Sequence, residues 1–214
     1  TIRQGLVLTN QRGEILYKIN QKNGLQNNTV LSLFEDEKGN VWVGLDNGIS
    51  MLALSSPFKY FEDLEGKIGT VYDIMTFQNT LYLATNHGVF AKSLTSKAEF
   101  QLIRGLQGQA WDLEVFDDQL LCGHNNGTYR IEGDKAVQLS NITGGWQLKR
   151  ALNKPSMLIQ STYTKLCLYE KDAQGKWVFK HTMEGFSNPT AQWEELPDGR
   201  LILNTKNAGL VLLQ

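Results

Sequence analysis

Apolar and polar positions alternate in short bursts along this chain. Val41-Trp-Val43, Leu81-Tyr-Leu83 and Leu201-Ile-Leu203 are brief apolar runs rich in β-formers. Turn signals bound them: Glu37-Lys38-Gly39-Asn40, Asp46-Asn47-Gly48, Asn86-His87-Gly88, Asn125-Asn126-Gly127 and Asp198-Gly199. The Asn-Gly type predicts tight hairpins whose two central residues both take positive φ. No window sustains apolar residues at helical spacing over three turns, so the pattern predicts strands throughout.

The bursts repeat. A turn-plus-strand mark recurs at Gly5-Leu6, Gly48-Ile49, Gly88-Val89, Gly127-Thr128 and Gly209-Leu210. Successive marks lie about forty residues apart, the last interval being about twice that. A degenerate copy therefore belongs near Thr164-Lys165-Leu166. The segments between marks align too: Thr70–Phe77 with Gln109–Phe116, then Thr29–Asp36 and Thr190–Glu195 in the same frame.

Several short antiparallel strands per repeat, with the same turn chemistry each time, predict an all-β fold of the β-propeller type. A β-sandwich offers strands at similar spacing but does not require matching turns at each repeat. The units fall at about residues 1–26 (partial), 27–68, 69–108, 109–145, 146–188 and 189–214 (partial), within one propeller domain or segment over 1–214. The chain opens with the last two strands of a unit and closes after the third strand of another. Either the ends join in a composite fifth blade, or the chain is an arc of a larger propeller of about seven blades. The duplicated third strand and the mid-unit start favour the arc.

Composition changes little in this picture. The 41% hydrophobic content supplies a core, and 21 basic against 22 acidic residues give a net charge of −1. With no basic excess, this segment is not expected to contact nucleic acid. Twenty glycines against four prolines fit many tight turns. No run of about eighteen apolar residues exists to span a membrane, so any membrane contact belongs to parts outside this chain. The start, Thr1-Ile2-Arg3-Gln4, has neither a signal-peptide shape nor an initiator Met, which suggests that something upstream was removed. Cys122 and Cys167 sit in no metal or redox spacing and read as two buried strand residues.

One stretch is more specific. Gly24-Leu25-Gln26-Asn27-Asn28-Thr29-Val30, continuing through Leu33, Asp36, Gly39, Trp42, Gly44 and Gly48-Ile49, closely resembles the repeat of two-component regulator propellers. Leu45 stands where the family pattern has Thr, and Tyr82, Leu121 and Ile202 replace the strand Trp in other copies, while Thr85 and Thr205 keep the Thr. The resemblance implies the periplasmic sensor part of an inner-membrane bacterial receptor, often for oligosaccharides and usually dimeric. Kinase or DNA-binding parts would lie elsewhere in the polypeptide.

Candidate chemistry follows from the fold class. Trp42 is expected to pack between blades. In a propeller the first strand of each unit lines the central channel, which singles out Asn27, Asn28, Thr70, Tyr72, Gln109, Trp111, Trp146, Gln147, Gln192 and Trp193 as ligand-binding candidates. Aromatic rings stack on sugar C–H faces, and amides both donate and accept to hydroxyls. Strand alternation decides which side each takes, and the sequence does not fix that phase.

No catalytic or metal residue is singled out, and no cofactor is expected. His87 and His124 read as solvated turn residues, with no ligand spacing around them or His181. Asp117-Asp118 belongs to a hairpin turn, and Glu194-Glu195, adjacent on a strand, face opposite ways. Serine-elbow and zinc-protease motifs are missing. A glycan lyase or hydrolase would need three of Tyr72, Asp73, Asp112 and Glu194 to converge within hydrogen-bond reach of one pocket. A bare protein-interaction scaffold is the third reading.

Overall fold

The computed structural model describes residues 3–58, 63, 65–96 and 98–214. Thr1 and Ile2 of the first partial unit, and several residues closing the second, lie outside the described residues. The chain forms two compact units, residues 1–66 and 67–214.

In the first unit β1 (Leu6–Thr9) and β2 (Ile15–Ile19) pair as an antiparallel hairpin, and β3 (Val30–Glu35), β4 (Val41–Leu45) and β5 (Ile49–Leu52) form a three-stranded meander. Asp36 organises the β3–β4 turn. Its carboxylate accepts the backbone N–H groups of Lys38 and Asn40, the Asn40 amide and the Trp42 indole N–H. The Trp42 indole N–H thereby helps to tie down the β3–β4 turn.

The second unit holds three four-stranded antiparallel meanders and one of three strands. They are β6 (Val71–Phe77), β7 (Thr80–Thr85), β8 (Gly88–Ser93) and β9 (Gln101–Gln107); β10 (Ala110–Phe116), β11 (Gln119–His124), β12 (Gly127–Glu132) and β13 (Lys135–Ser140); β14 (Leu148–Arg150), β15 (Met157–Ser161), β16 (Leu166–Lys171) and β17 (Trp177–Thr182); and β18 (Thr190–Glu195), β19 (Leu201–Thr205) and β20 (Gly209–Leu213). Each is a propeller blade, as the repeat predicts. One parallel bridge, Lys135 to Arg104, joins the outer strands β13 and β9.

The core is layered between successive blades. Tyr82, Ala84 and Val89 meet Leu113, Leu120 and Cys122 across the first seam. Phe116 and Leu121 meet Leu148, Leu158, Tyr169 and Trp177 across the second. Ile159, Leu166 and Phe186 meet Trp193, Leu201 and Leu203 across the third. Blades thus bury one another, which is why a single repeat would not hold its fold alone.

The type I′ turns are not at the Asn-Gly pairs. Positive φ at two consecutive non-glycine residues occurs at Gln78-Asn79 and Asp117-Asp118, joining the first two strands of their blades. Before the third strand only the glycine takes positive φ, as at Gly48, Gly88 and Gly127. There a side chain caps the turn: Thr85 Oγ1 accepts the His87 and Gly88 N–H groups, and Thr205 Oγ1 accepts that of Ala208. His124 occupies the equivalent place and its Nδ1 accepts the Asn126 N–H at 3.1 Å. Expected in solvent, it is 1% exposed, stacked edge-on to Tyr129, and burial lowers its pKa. His87 is exposed, as expected, and His181, placed by sequence in a connection, is exposed on β17.

The first strands share one irregularity that positions the site. Register slips between Val30 and Ser32, Val71 and Asp73, Ala110 and Asp112, and Thr190 and Gln192. In the β14 blade, Ser161 pairs with both Trp146 and Gln147. The extra residue of each bulge is Leu31, Tyr72, Trp111, Trp146 or Ala191 in turn. A bulge re-aims the side chain it carries and resets the in–out alternation of the strand.

Candidate functional site: a bulge-borne aromatic row

Three of these bulge residues in the second unit form a row of rings. Tyr72 and Trp111 lie 4.9 Å apart between centroids at a 38° tilt. Trp111 and Trp146 meet edge to face at 6.3 Å, and Trp146 meets Tyr163 at 4.8 Å in the same manner. The Gln109 amide donates to the Tyr72 hydroxyl at 2.9 Å, and the Tyr163 hydroxyl donates to Asn125 Oδ1 at 2.8 Å. Both ends of the row are therefore anchored by amides.

Behind the row, the next residue of each first strand stitches consecutive blades. Asp73 Oδ2 accepts the Leu113 N–H at 2.7 Å, Asp112 Oδ2 accepts that of Leu148 at 2.8 Å, and Gln147 Oε1 accepts that of Trp193 at 2.8 Å. These bonds fix the spacing at which the bulge rings meet.

A cleft of about 510 Å³ opens beside the row, lined by Trp111, Asp112, Trp146, Gln147, Ala191, Gln192, Asn204 and Lys206. Burial pushes the Asp112 carboxyl up to about 7; the Leu148 N–H and Lys149 pull it down, and Glu114 and Asp73 add to the rise. Glu114 is raised for the same two reasons, burial and Asp73. Among the described residues no group of three or more His, Cys, Asp or Glu side chains could hold a metal. None of the described helices is long and apolar enough to cross a membrane.

Of the ten candidates, the structure brings Trp111, Trp146, Gln147 and Gln192 to this cleft and puts Tyr72 and Gln109 at the near end of the row. Thr70 is exposed just before β6, its N–H bound to Asn86 Oδ1. Asn27 and Asn28 belong to the first unit, where their side-chain oxygens accept the N–H groups of Thr29 and Gln21. Trp193 is 2% exposed and sits in the third seam, so it serves the core and not the ligand face.

Sequence reasoning did not include Tyr163, Asn204 or Lys206. The repeat contains the signal for two of them: Asn86, Asn125, Tyr163 and Lys206 each follow the turn-capping residue of their hairpin, and the last three are tied to the row. Each donates its backbone N–H across the blade mouth, to Thr70, Gln109, Thr143 and Pro189 respectively.

Tyr72, Asp73, Asp112 and Glu194 do not meet in one pocket. Glu194 pairs with Lys149, Asp73 is bound to backbone, and Asp112 alone of the four lines the cleft.

The family match falls on the first unit. Residues 24–47 match the two-component regulator propeller family. That repeat contains the Asp36–Trp42 turn, so its Asp-x-x-Gly-x-x-Trp spacing is the spacing of one hydrogen-bonded structure. No curated protein matches the chain by sequence. Among solved structures it is similar to the extracellular domain of a protein described as a hybrid two-component system from B. thetaiotaomicron, at 16% identity and a TM-score of 0.48, over 94% of this chain and 29% of that one. It is similar to the computationally designed protein Ika4 at 12% identity and a TM-score of 0.50, over 70% of this chain and 93% of that one. It is also similar to virginiamycin B lyase from Staphylococcus aureus at 13% identity and a TM-score of 0.47, over 91% of this chain and 71% of that one. The chain spans about a third of the length of the B. thetaiotaomicron domains it matches. At such identities these are likenesses of fold.

Proposed function

We propose that this chain is the ligand-sensing propeller segment of a bacterial two-component receptor, and that it binds an oligosaccharide at the aromatic row. It does so outside the cytoplasm, and occupancy passes to kinase or DNA-binding parts of a longer, dimeric polypeptide. The observation that carries the reading is the row Tyr72–Trp111–Trp146–Tyr163 beside a cleft with Gln147, Gln192 and Asn204 in its wall. Ring edges and faces suit sugar C–H surfaces, amides suit hydroxyls, and the volume lies within the range of about 300–1,000 Å³ usual for small ligands. The family repeat at 24–47 supports the receptor class. Asp73 and Asp112 are engaged in blade seams and Glu194 in an ion pair, which supports binding without chemistry.

Titration of the purified chain with a broad oligosaccharide panel, read by calorimetry and tryptophan fluorescence, tests this. Binding is expected to perturb the fluorescence and to fall sharply in Trp146→Ala and in the exposed Gln192→Ala, with thermal transitions retained. In the full-length receptor the same variants should lose induction by the ligand. No binding by any member of the panel overturns the reading.

A further inference from the structure

One charged side chain reaches the cleft without a counter-charge. Lys206 is exposed at the β19–β20 turn, and its Nζ lies 5.5 Å from the centroid of the Trp146 ring. Among the described residues no carboxylate lies within ion-pair distance of it, whereas Lys149 at the neighbouring seam is paired with Glu194. The fold places Lys206: its backbone N–H donates to Pro189 at 2.9 Å, and Thr205 Oγ1 closes the turn around it through Ala208 and Gly209. Gln192 and Asn204 beside it are exposed, and their side-chain amides have no hydrogen-bond partner within the described protein. The cleft's own carboxylate, Asp112, is turned to the Leu148 N–H in the seam.

An ammonium over an aromatic face is held by the ring quadrupole, and it can exchange that weak hold for a charge-assisted bond to an anion. The two free amides add donors for the same anion. We infer that the cleft recognises an anionic sugar unit, its carboxylate or sulfate on Lys206 and the sugar body against Trp111 and Trp146. This deepens the ligand-sensing reading and rests on it.

The test compares a neutral oligosaccharide, a matched uronate oligomer and a matched sulfated oligomer on the wild-type chain, Lys206→Met and Lys206→Arg. An acidic member is expected to bind about tenfold more tightly than the neutral one, with the preference shrinking as salt rises. Lys206→Met should abolish the preference and Lys206→Arg should keep it. Which acidic oligomer binds more tightly identifies carboxylate or sulfate as the anion. Equal binding of neutral and acidic members, or a preference that survives in Lys206→Met, overturns this inference while leaving the sensing reading in place. Failure of every oligomer to bind overturns both.

Discussion

The Asp112 carboxylate accepts the Leu148 backbone N–H at 2.8 Å, across the seam between two blades. Asp73 does the same for Leu113, and Gln147 for Trp193. Three successive repeats therefore spend one inner-strand side chain on holding the next blade. At the Asp positions the acceptor is a carboxylate partly withdrawn from water.

That withdrawal gives a pH dependence with a definite sign. Asp112 titrates at about 7 in the folded chain, raised chiefly by burial. In the unfolded chain a carboxyl titrates near about 3.9. Between those values the folded state holds a proton that the unfolded state has released, so stability falls as pH rises from about 4 to about 7 and then levels off. The loss is on the order of 2 kcal/mol, allowing for solvent screening of a partly accessible group. Asp112→Asn keeps an acceptor for the Leu148 N–H and removes the titration. Urea unfolding from pH 5 to 8 should show the decline in wild type and a flatter curve in Asp112→Asn; parallel curves would refute the assignment.

The Asp36–Trp42 bond makes a second prediction. Asp36 is held down at about 2, most strongly by the Trp42 indole N–H and then by Asn40. Its contribution to stability is present above the normal carboxyl range and lost as pH falls from about 4 toward about 2. Trp42→Phe keeps the aromatic body and deletes the donor. Side-chain carboxyl NMR titration should place Asp36 nearer its normal value in that variant, and an unmoved titration would contradict the role given to the indole.

Both thiols are free and fully buried. Burial pushes Cys167 up to about 12 and raises Cys122 further, with Asp112 and Asp73 adding to the latter. Because the thiolate is the reactive form, neither should react with iodoacetamide at pH 8 until the chain is unfolded. Labelling of either cysteine in the native state, followed by mass spectrometry, would show that its seam opens.

The blades were legible because turn chemistry repeats at a fixed period, and a chance repeat does not do that. The site was legible only in part. Two-residue alternation assigns Tyr72, Trp111 and Trp146 no definite side, since the bulge at each of them resets the phase. Trp193 shows the cost: it lies two positions beyond the bulge residue Ala191, beside the exposed Gln192, and points into the core. His124 escaped for a related reason. A turn-capping Thr is small and recognisable, whereas an imidazole doing the same work through Nδ1 looks like a polar turn residue. Lys206 carries no motif, and only its equivalence to Asn125 and Tyr163 marks it.

The last prediction isolates the packing that holds the row. Gly144 has φ +74°, and a Cβ there would lie 2.1 Å from the Tyr163 ring. Tyr163 in turn packs on Trp146 and is tied to Asn125. Gly144→Ala therefore combines left-handed backbone strain with displacement of Tyr163. Gly133, at φ +63°, has open space where a Cβ would go, so Gly133→Ala imposes the strain alone. Strain of this kind costs about 1 kcal/mol or somewhat more. Gly133→Ala should lower the thermal midpoint by a few degrees and leave the tryptophan emission unchanged. Gly144→Ala should lower it further, shift the emission as Trp146 loses its neighbour, and weaken oligosaccharide binding. If the two variants behave alike in emission and binding, Tyr163 is not what holds Trp146 at the cleft.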